Sequence, residues 1–205
     1  MLVGVFSILV VMTAMRVLQQ NIERELSGLG SQTFQVQKWP GAYFGGPEGF
    51  EKFWRRPQLT LAHGHQVQER ATLARHVGIE RNFWAGEASS RFDKSPPGVP
   101  LHGVTPGTFP ARNWTVAEGR QLTEADVDGA HNVCVLGAGL ARTLFPFGSP
   151  LGDSVKLDGI NYNVVGVLES RGTSMGGDHD NFAVMPLTTG LNRYGSIGKS
   201  VAILV

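Results

Sequence analysis

The 205-residue sequence has little charge and a single cysteine. Charged residues make up 17% of it and the formal net charge is +1, whereas soluble domains typically carry about 25% charged residues. A chain without an excess of either sign gives no electrostatic reason to expect binding to nucleic acid or to an acidic partner. The lone Cys134 cannot form an internal disulfide, and its position in an apolar run predicts a small buried side chain.

Nucleotide-binding motifs are missing or incomplete. The glycine-rich stretch from Gly41 to Gly49 lacks the Gly-Lys-Ser/Thr ending with which a P-loop holds phosphates and Mg²⁺. Gly137-Ala138-Gly139 follows an apolar run, but Arg142 stands where a dinucleotide fingerprint has its third glycine. We therefore expect no cofactor.

Two clusters of polar residues have the right types for chemistry but not the right context. His63-Gly64-His65 and Asp178-His179-Asp180 could supply metal ligands, yet no spacing joins them into a set of three or four. Gly172-Thr173-Ser174-Met175-Gly176 fits the G-x-S-x-G elbow of serine hydrolases, but the residues after it do not begin a helix. We predict a loop there, with no catalytic, cofactor or metal site. A tethered or secreted hydrolase using Ser174 and His179 is the alternative.

The longest uncharged apolar run lies at the N-terminus, from Met1 to Met15. Fifteen helical residues span about 22 Å, less than the ~30 Å hydrocarbon core, but the run has neither the basic start nor the cleavage site of a signal peptide. One helical stripe continues beyond it, at Leu18, Ile22, Leu26 and Leu29. We predict a transmembrane helix and an amphipathic stalk over residues 1–29. A buried helix of a soluble protein is the alternative.

A strand, a helix and a hairpin are predicted between Val133 and Leu168. The apolar run Val133 to Leu136 indicates a buried strand, and Ala138 to Phe145 has apolar residues on one helical face. Asp158-Gly159 is typical of a type I′ hairpin turn, which needs positive φ at both central residues. This register places Leu157 opposite Ile160 and Val155 opposite Tyr162, with all four on one face.

The rest of the chain mixes strands with short helices, which predicts an α+β fold. Predicted strands cover Thr33–Trp39, His76–Arg91, Val99–Thr105, Asn181–Met185 and Ser200–Val205, and predicted helices cover Leu59–Arg75 and Thr188–Tyr194.

Four pieces of the sequence, in order, resemble the MacB-like ABC transporter permeases of the wider FtsX-like group. The run VLG, LF, SPLGDSVKLDG and YNVVGVL resembles their extracytoplasmic core domain. His102 to Val127 resembles the segment before it, and Phe182 to Gly195 resembles the segment after it. The apolar N-terminus leading into Leu26 to Val36 resembles the first membrane helix and first periplasmic strand.

The resemblance implies a transmembrane and stalk segment at residues 1–29 and a mixed α/β extracytoplasmic domain with hairpins at residues 30–205. The apolar C-terminal strand suggests that this domain is incomplete, so we expect a fragment of a longer permease of the inner membrane. The implied function is relay of conformational change from a cytoplasmic ABC ATPase, without enzymatic activity of its own. The implied partners are that ATPase, a second permease copy, membrane lipid and a periplasmic adaptor or substrate protein. A non-transport periplasmic adaptor is a further alternative.

Overall fold

The computed structural model describes residues 11–13, 33–39, 47–174, 177–178, 180–195 and 200–205. Residues 11–13 are helical, and the rest of the membrane helix and stalk predicted at residues 1–29 lies outside the described residues. Among those that are described, no helix has both the length and the apolar character required to cross a bilayer.

A ten-stranded sheet forms the centre of the described domain. Its strands lie in the spatial order β1-β12-β2-β4-β11-β6-β8-β7-β3, and β5 pairs with β8 outside this path. Strands β9 and β10 form a separate hairpin. The strand bounds are β1 Gln35–Val36, β2 Gly78–Ala85, β3 Ala88–Ser89, β4 Val99–Val104, β5 Val116–Gly119, β6 Val133–Leu136, β7 Ser154–Leu157, β8 Ile160–Leu168, β9 Thr173–Ser174, β10 Gly177–Asp178, β11 Ala183–Pro186 and β12 Ala202–Leu204.

Six helices accompany the sheet in the described ranges: α1 Pro47–Trp54, α2 Leu61–Arg70, α3 Thr108–Ala111, α4 Glu124–Asp128, α5 Ala138–Leu144 and α6 Leu187–Tyr194. Helix α2 is shorter than predicted because Thr60 caps its start through the backbone N–H of His63 and the helix ends at Arg70. The strand predicted from His76 to Arg91 is divided into β2 and β3.

The sheet is mixed, which agrees with the predicted class. Strands β4 and β11 are parallel, as are β6 and β8, and the other pairs are antiparallel. Parallel strands need a long crossover connection between them. Helix α5 and strand β7 lie between β6 and β8 along the chain and provide this connection.

The β7–β8 hairpin has the predicted register. Leu157 pairs with Ile160 and Val155 with Tyr162, and φ is 48° at Asp158 and 84° at Gly159, as a type I′ turn requires. Ile160 lies on the same face as Leu157 and Tyr162, as predicted. Its side chain is 38% exposed, because it lies at the turn end of the hairpin.

Apolar side chains cover both faces of the sheet. One cluster joins the sheet to α5 and α6 and contains Leu101, Cys134, Leu140 and Tyr162. A second cluster on the opposite side contains Phe109, Val135, Phe182 and Val184. Cys134 is fully buried, as predicted, and burial raises the pKa of its thiol to about 12. It is therefore a packing residue.

Candidate functional site

The predicted hydrolase residues do not form an elbow. Ser174 belongs to strand β9, which pairs antiparallel with β10, and His179 lies outside the described residues. A nucleophile elbow requires a sharp turn between a strand and a helix. A hairpin therefore occupies the place where we predicted a loop, and the described backbone does not support a serine nucleophile.

Asp180 holds the base of this hairpin in place. Its carboxylate accepts hydrogen bonds from the hydroxyl of Ser170 at 2.5 Å and from the backbone N–H groups of Arg171 and Gly172 at 2.9 and 3.1 Å. Its backbone carbonyl accepts a further bond from the N–H of Gly139 in α5 at 3.0 Å. The acidic residue that the sequence offered as a metal ligand thus connects two backbone segments.

The two histidines of α2 are likewise separate from other ligands. The Nδ1 atom of His63 accepts a hydrogen bond from the backbone N–H of Thr60 at 3.1 Å, which completes a capping box. His65 lies two residues further along the helix and is exposed. No group of three His, Cys, Asp or Glu residues suited to a metal occurs in the part of the chain that is described.

The first and last of the described strands lie side by side. Gln35 pairs with Leu204 and Val36 with Ile203 in antiparallel register. Phe34 and Val205 exchange two backbone hydrogen bonds, each 3.0 Å long. Strand β12 pairs in turn with β2, while β1 has no second neighbour among the described strands. The segment that enters the domain is therefore connected to the sheet through β12, and we call these two strands the terminal strand pair.

Two clefts flank the terminal strand pair. The first, of about 820 Å³, is lined by Phe34 and Val205 together with the segment from Arg70 to His76 and the end of α3. The second, of about 500 Å³, lies between the residues around β1, β12 and β2. Its lining residues are Gln35, Gln37, Lys38, Trp39, Trp54, Gln58, Glu80, Arg81, Asn82, Ser200, Val201 and Ala202.

A buried ion pair lies next to the second cleft. Glu80 of β2 is only 1% exposed, and Arg112 donates to both of its carboxylate oxygens, with a distance of 3.0 Å from Nε to Oε2. A two-bond arrangement fixes both side chains and offsets part of the cost of burying the charges. The pair therefore joins β2 to the residue that follows α3.

His102 lies near this ion pair, on the neighbouring strand β4. Burial lowers its pKa to about 4, an effect that the charge of Glu80 opposes and that of Arg112 reinforces. Its ring meets those of Trp114 and Phe182 edge to face, with centroids 5.5 and 5.2 Å away. The imidazole is therefore neutral at pH 7 and packs as an aromatic residue.

Sequence reasoning did not predict the terminal strand pair or the Glu80–Arg112 pair. Each joins residues that are distant along the chain, and no local spacing reveals such contacts. One signal was available. Glu80, Arg81 and Asn82 interrupt an otherwise apolar strand, and charged residues inside a buried strand need partners.

These observations define a class of protein, namely a mixed α/β domain in which the first and last of the described strands share one end of a sheet. The family model described as the MacB-like periplasmic core domain matches residues 1–205. The chain therefore belongs to the MacB-like periplasmic core domain family, as the sequence resemblance predicted.

Individual relatives agree with this membership. The macrolide export ATP-binding/permease protein MacB of Syntrophobacter fumaroxidans is 30% identical over 213 residues, which cover 98% of this chain and 27% of the relative. The periplasmic region of MacB from Actinobacillus actinomycetemcomitans has a similar fold, with a TM-score of 0.67 at 20% identity over 87% of this chain and 76% of that one. The extracellular domain of the Gram-positive ABC-type transporter YknZ has a TM-score of 0.62 at 18% identity, over 85% and 83% of the two chains. The chain thus spans about a quarter of the length of the curated MacB relatives.

Proposed function

We propose that this chain belongs to a membrane-spanning permease subunit of an ABC transporter in the inner membrane, and that its extracytoplasmic sheet relays conformational change from a partner ATPase. Family membership supports the permease assignment, since the relatives include proteins named as export permeases. The observation that carries the relay is the terminal strand pair, because β1 follows the predicted stalk closely and is hydrogen-bonded to β12.

The relay has a physical basis in the backbone ladder. Hydrogen bonds join β1 to β12 and β12 to β2, and β2 continues into the buried centre of the sheet. A displacement of the stalk would therefore move the sheet with it. A continuous helix followed by a paired strand is stiff enough to transmit such a shift.

The energy for this movement would come from a partner. The chain has no Walker motif, so in our proposal a cytoplasmic ABC ATPase hydrolyses ATP and a second permease copy completes the assembly. Export and mechanical work on an external partner are both compatible with a relay domain. A non-transport adaptor would have the same fold but no ATPase.

Membrane fractionation tests the location. We expect the tagged full-length chain to remain in the membrane after an alkaline wash, and protease added to intact spheroplasts to digest the portion from Leu29 to Val205. Recovery of the intact chain in the soluble fraction would contradict the proposal.

Co-purification from detergent extracts tests the partner. We expect an ABC ATPase to co-purify with the tagged chain, and a matched extract with the untagged chain controls for retention by the matrix alone. An external protein recovered without any ATPase would favour the adaptor over the permease.

A change in the stalk tests the relay. Changing the stalk residues Glu23 and Arg24 both to glycine should uncouple transport. Unchanged transport activity in the full-length permease would contradict the relay.

A further inference from the structure

Arg81 is a buried cation without a partner. Alternation along β2 places its side chain on the face opposite to Glu80 and on the same face as Ile79 and Phe83. The residue is only 4% exposed, yet its Nε and both Nη atoms have no hydrogen-bond partner in the structure. The guanidinium carbon lies 5.0 Å from the centre of the Phe83 ring, which is its one described favourable contact.

The other buried charged residues in the described chain all have partners. Glu80 is bound by Arg112, Asp126 by Arg120 and Thr123, and the Asp180 carboxylate by the hairpin base described above. Burying a charge without a hydrogen-bonding partner is costly, so proteins seldom do so for stability alone. Consistent with this cost, burial lowers the pKa of Arg81. The unpaired N–H groups of the Arg81 guanidinium are therefore an exception, and they indicate that a ligand binds there.

Arg81 lines the second cleft, and the composition of this cleft suits a small organic molecule. Its volume of about 500 Å³ falls within the ~300–1,000 Å³ common for ligand pockets. Trp39 and Trp54 meet edge to face, with ring centroids 5.3 Å apart, and offer apolar surface. Polar groups around them could accept or donate hydrogen bonds, at Gln35, Gln37, Gln58, Asn82 and Ser200.

We propose that the second cleft binds a small organic carboxylate, whose carboxyl group pairs with Arg81 and whose apolar part lies against the tryptophans. A guanidinium presents its N–H groups as a fork that matches the two oxygens of a carboxylate. Lys38 lines the same cleft and adds a second positive charge. The charge of Glu80 is already bound by Arg112, so it does not cancel that of Arg81.

This inference stands apart from the proposed relay, because it depends only on the cleft and not on membrane insertion or an ATPase. A ligand in this position would nevertheless contact both the residues after β1 and those of β2.

A matched pair of probes tests the site on the full 205-residue chain in detergent. Phenylacetate carries a ring and a carboxylate, whereas phenylacetamide has nearly the same shape but no charge. Titration followed by tryptophan fluorescence and by thermal shift should show binding of phenylacetate at least about tenfold tighter than binding of phenylacetamide, since charge-assisted hydrogen bonds are about twice as strong as neutral ones.

Substitutions of Arg81 separate a binding role from a structural one. In Arg81→Met we expect the preference for phenylacetate to disappear while the Tm of the unliganded protein rises by about 2–4 °C, because a buried unpaired charge is removed. Arg81→Lys keeps the charge without the fork and should weaken binding about tenfold. Arg91→Met is the control, since Arg91 also lies over a phenylalanine ring, at 4.5 Å, but is exposed and outside the cleft.

Three results would overturn the proposal. The first is equal affinity of the wild-type protein for phenylacetate and phenylacetamide. This result does not depend on whether any variant folds. The second is a lower Tm in Arg81→Met with unchanged probe binding, which would make Arg81 a structural residue. The third is a response to an acidic peptide but none to phenylacetate, which would assign the cleft to a protein partner.

Discussion

His102 shows how a single residue can make folding sensitive to pH. Its Nδ1 atom is buried without a partner, and burial lowers the pKa of the ring from about 6.5 to about 4. In the unfolded chain the same ring would titrate near its ordinary value of about 6.5. Between these two values the unfolded state binds more protons than the folded state, so stability falls as pH falls.

We therefore predict that the free energy of unfolding decreases between pH 6.5 and pH 4, by up to about 3 kcal/mol from this residue. His102→Leu removes the titrating group at similar volume and should flatten the pH dependence in that window while leaving stability at pH 7 within about 1 kcal/mol. Urea denaturation at several pH values measures both quantities. An unchanged slope in the variant would assign the pH dependence to other residues.

The residue scale is also where sequence reasoning reached its limit. The apolar run around Cys134 indicated a buried thiol, because burial follows from local composition. The partner of Glu80 could not be inferred, since Arg112 lies on a different element and reaches β2 only once the sheet has formed. A charged residue in a buried strand indicates that a partner is needed, but it does not identify that partner.

At the scale of elements, local signals were reliable and distant pairings were not. The β7–β8 hairpin was predicted with its register because Asp158-Gly159 fixes the turn and alternation fixes the faces. The strands near Thr33 and Ser200 were also predicted, but not that they pair. The sequences of two short strands that are far apart in the chain do not specify that the strands pair with each other.

The terminal strand pair makes a prediction that depends on which way each N–H points. The N–H of Phe34 is bound to Val205, so by alternation the N–H of Val36 also faces β12 and that of Gln35 faces outward. Val36→Pro should remove a ladder bond and destabilise the protein by about 1–2 kcal/mol. Hydrogen exchange at the amides of Ile203 and Val205 should become faster.

Gln35→Pro is the matched control, because an edge strand tolerates proline where the N–H faces solvent. It should leave exchange at Val205 nearly unchanged. Equal loss of protection in both variants would mean that any proline disrupts the strand, and the assigned register would then have no part in the effect.

At the scale of the whole molecule, the apolar core that is described lies in one part of the chain. All the buried apolar residues of the described ranges lie between Val77 and Leu204. The residues of β1 and its start are far more open, with Phe34 60% and Val36 41% exposed. The division at residues 29 and 30, which the family resemblance implied, stays a prediction, and all the buried apolar residues that are described lie on its C-terminal side.

This distribution predicts that residues 30–205 fold without residues 1–29. We expect the truncated protein to be soluble and to unfold in one cooperative transition, because the described core and the residues packed against it, such as Leu59 and Leu61, all lie after residue 30. A shorter form, residues 40–205, also lacks β1, and its free energy of unfolding should fall by less than about 3 kcal/mol, since β1 contributes few ladder bonds and exposed side chains. Urea denaturation of both forms, followed by tryptophan fluorescence and circular dichroism, measures the difference. If residues 30–205 aggregate or unfold without cooperativity in both probes, the apolar N-terminal run belongs to the core of the domain, and the stalk proposed to drive the terminal strand pair would have to be abandoned.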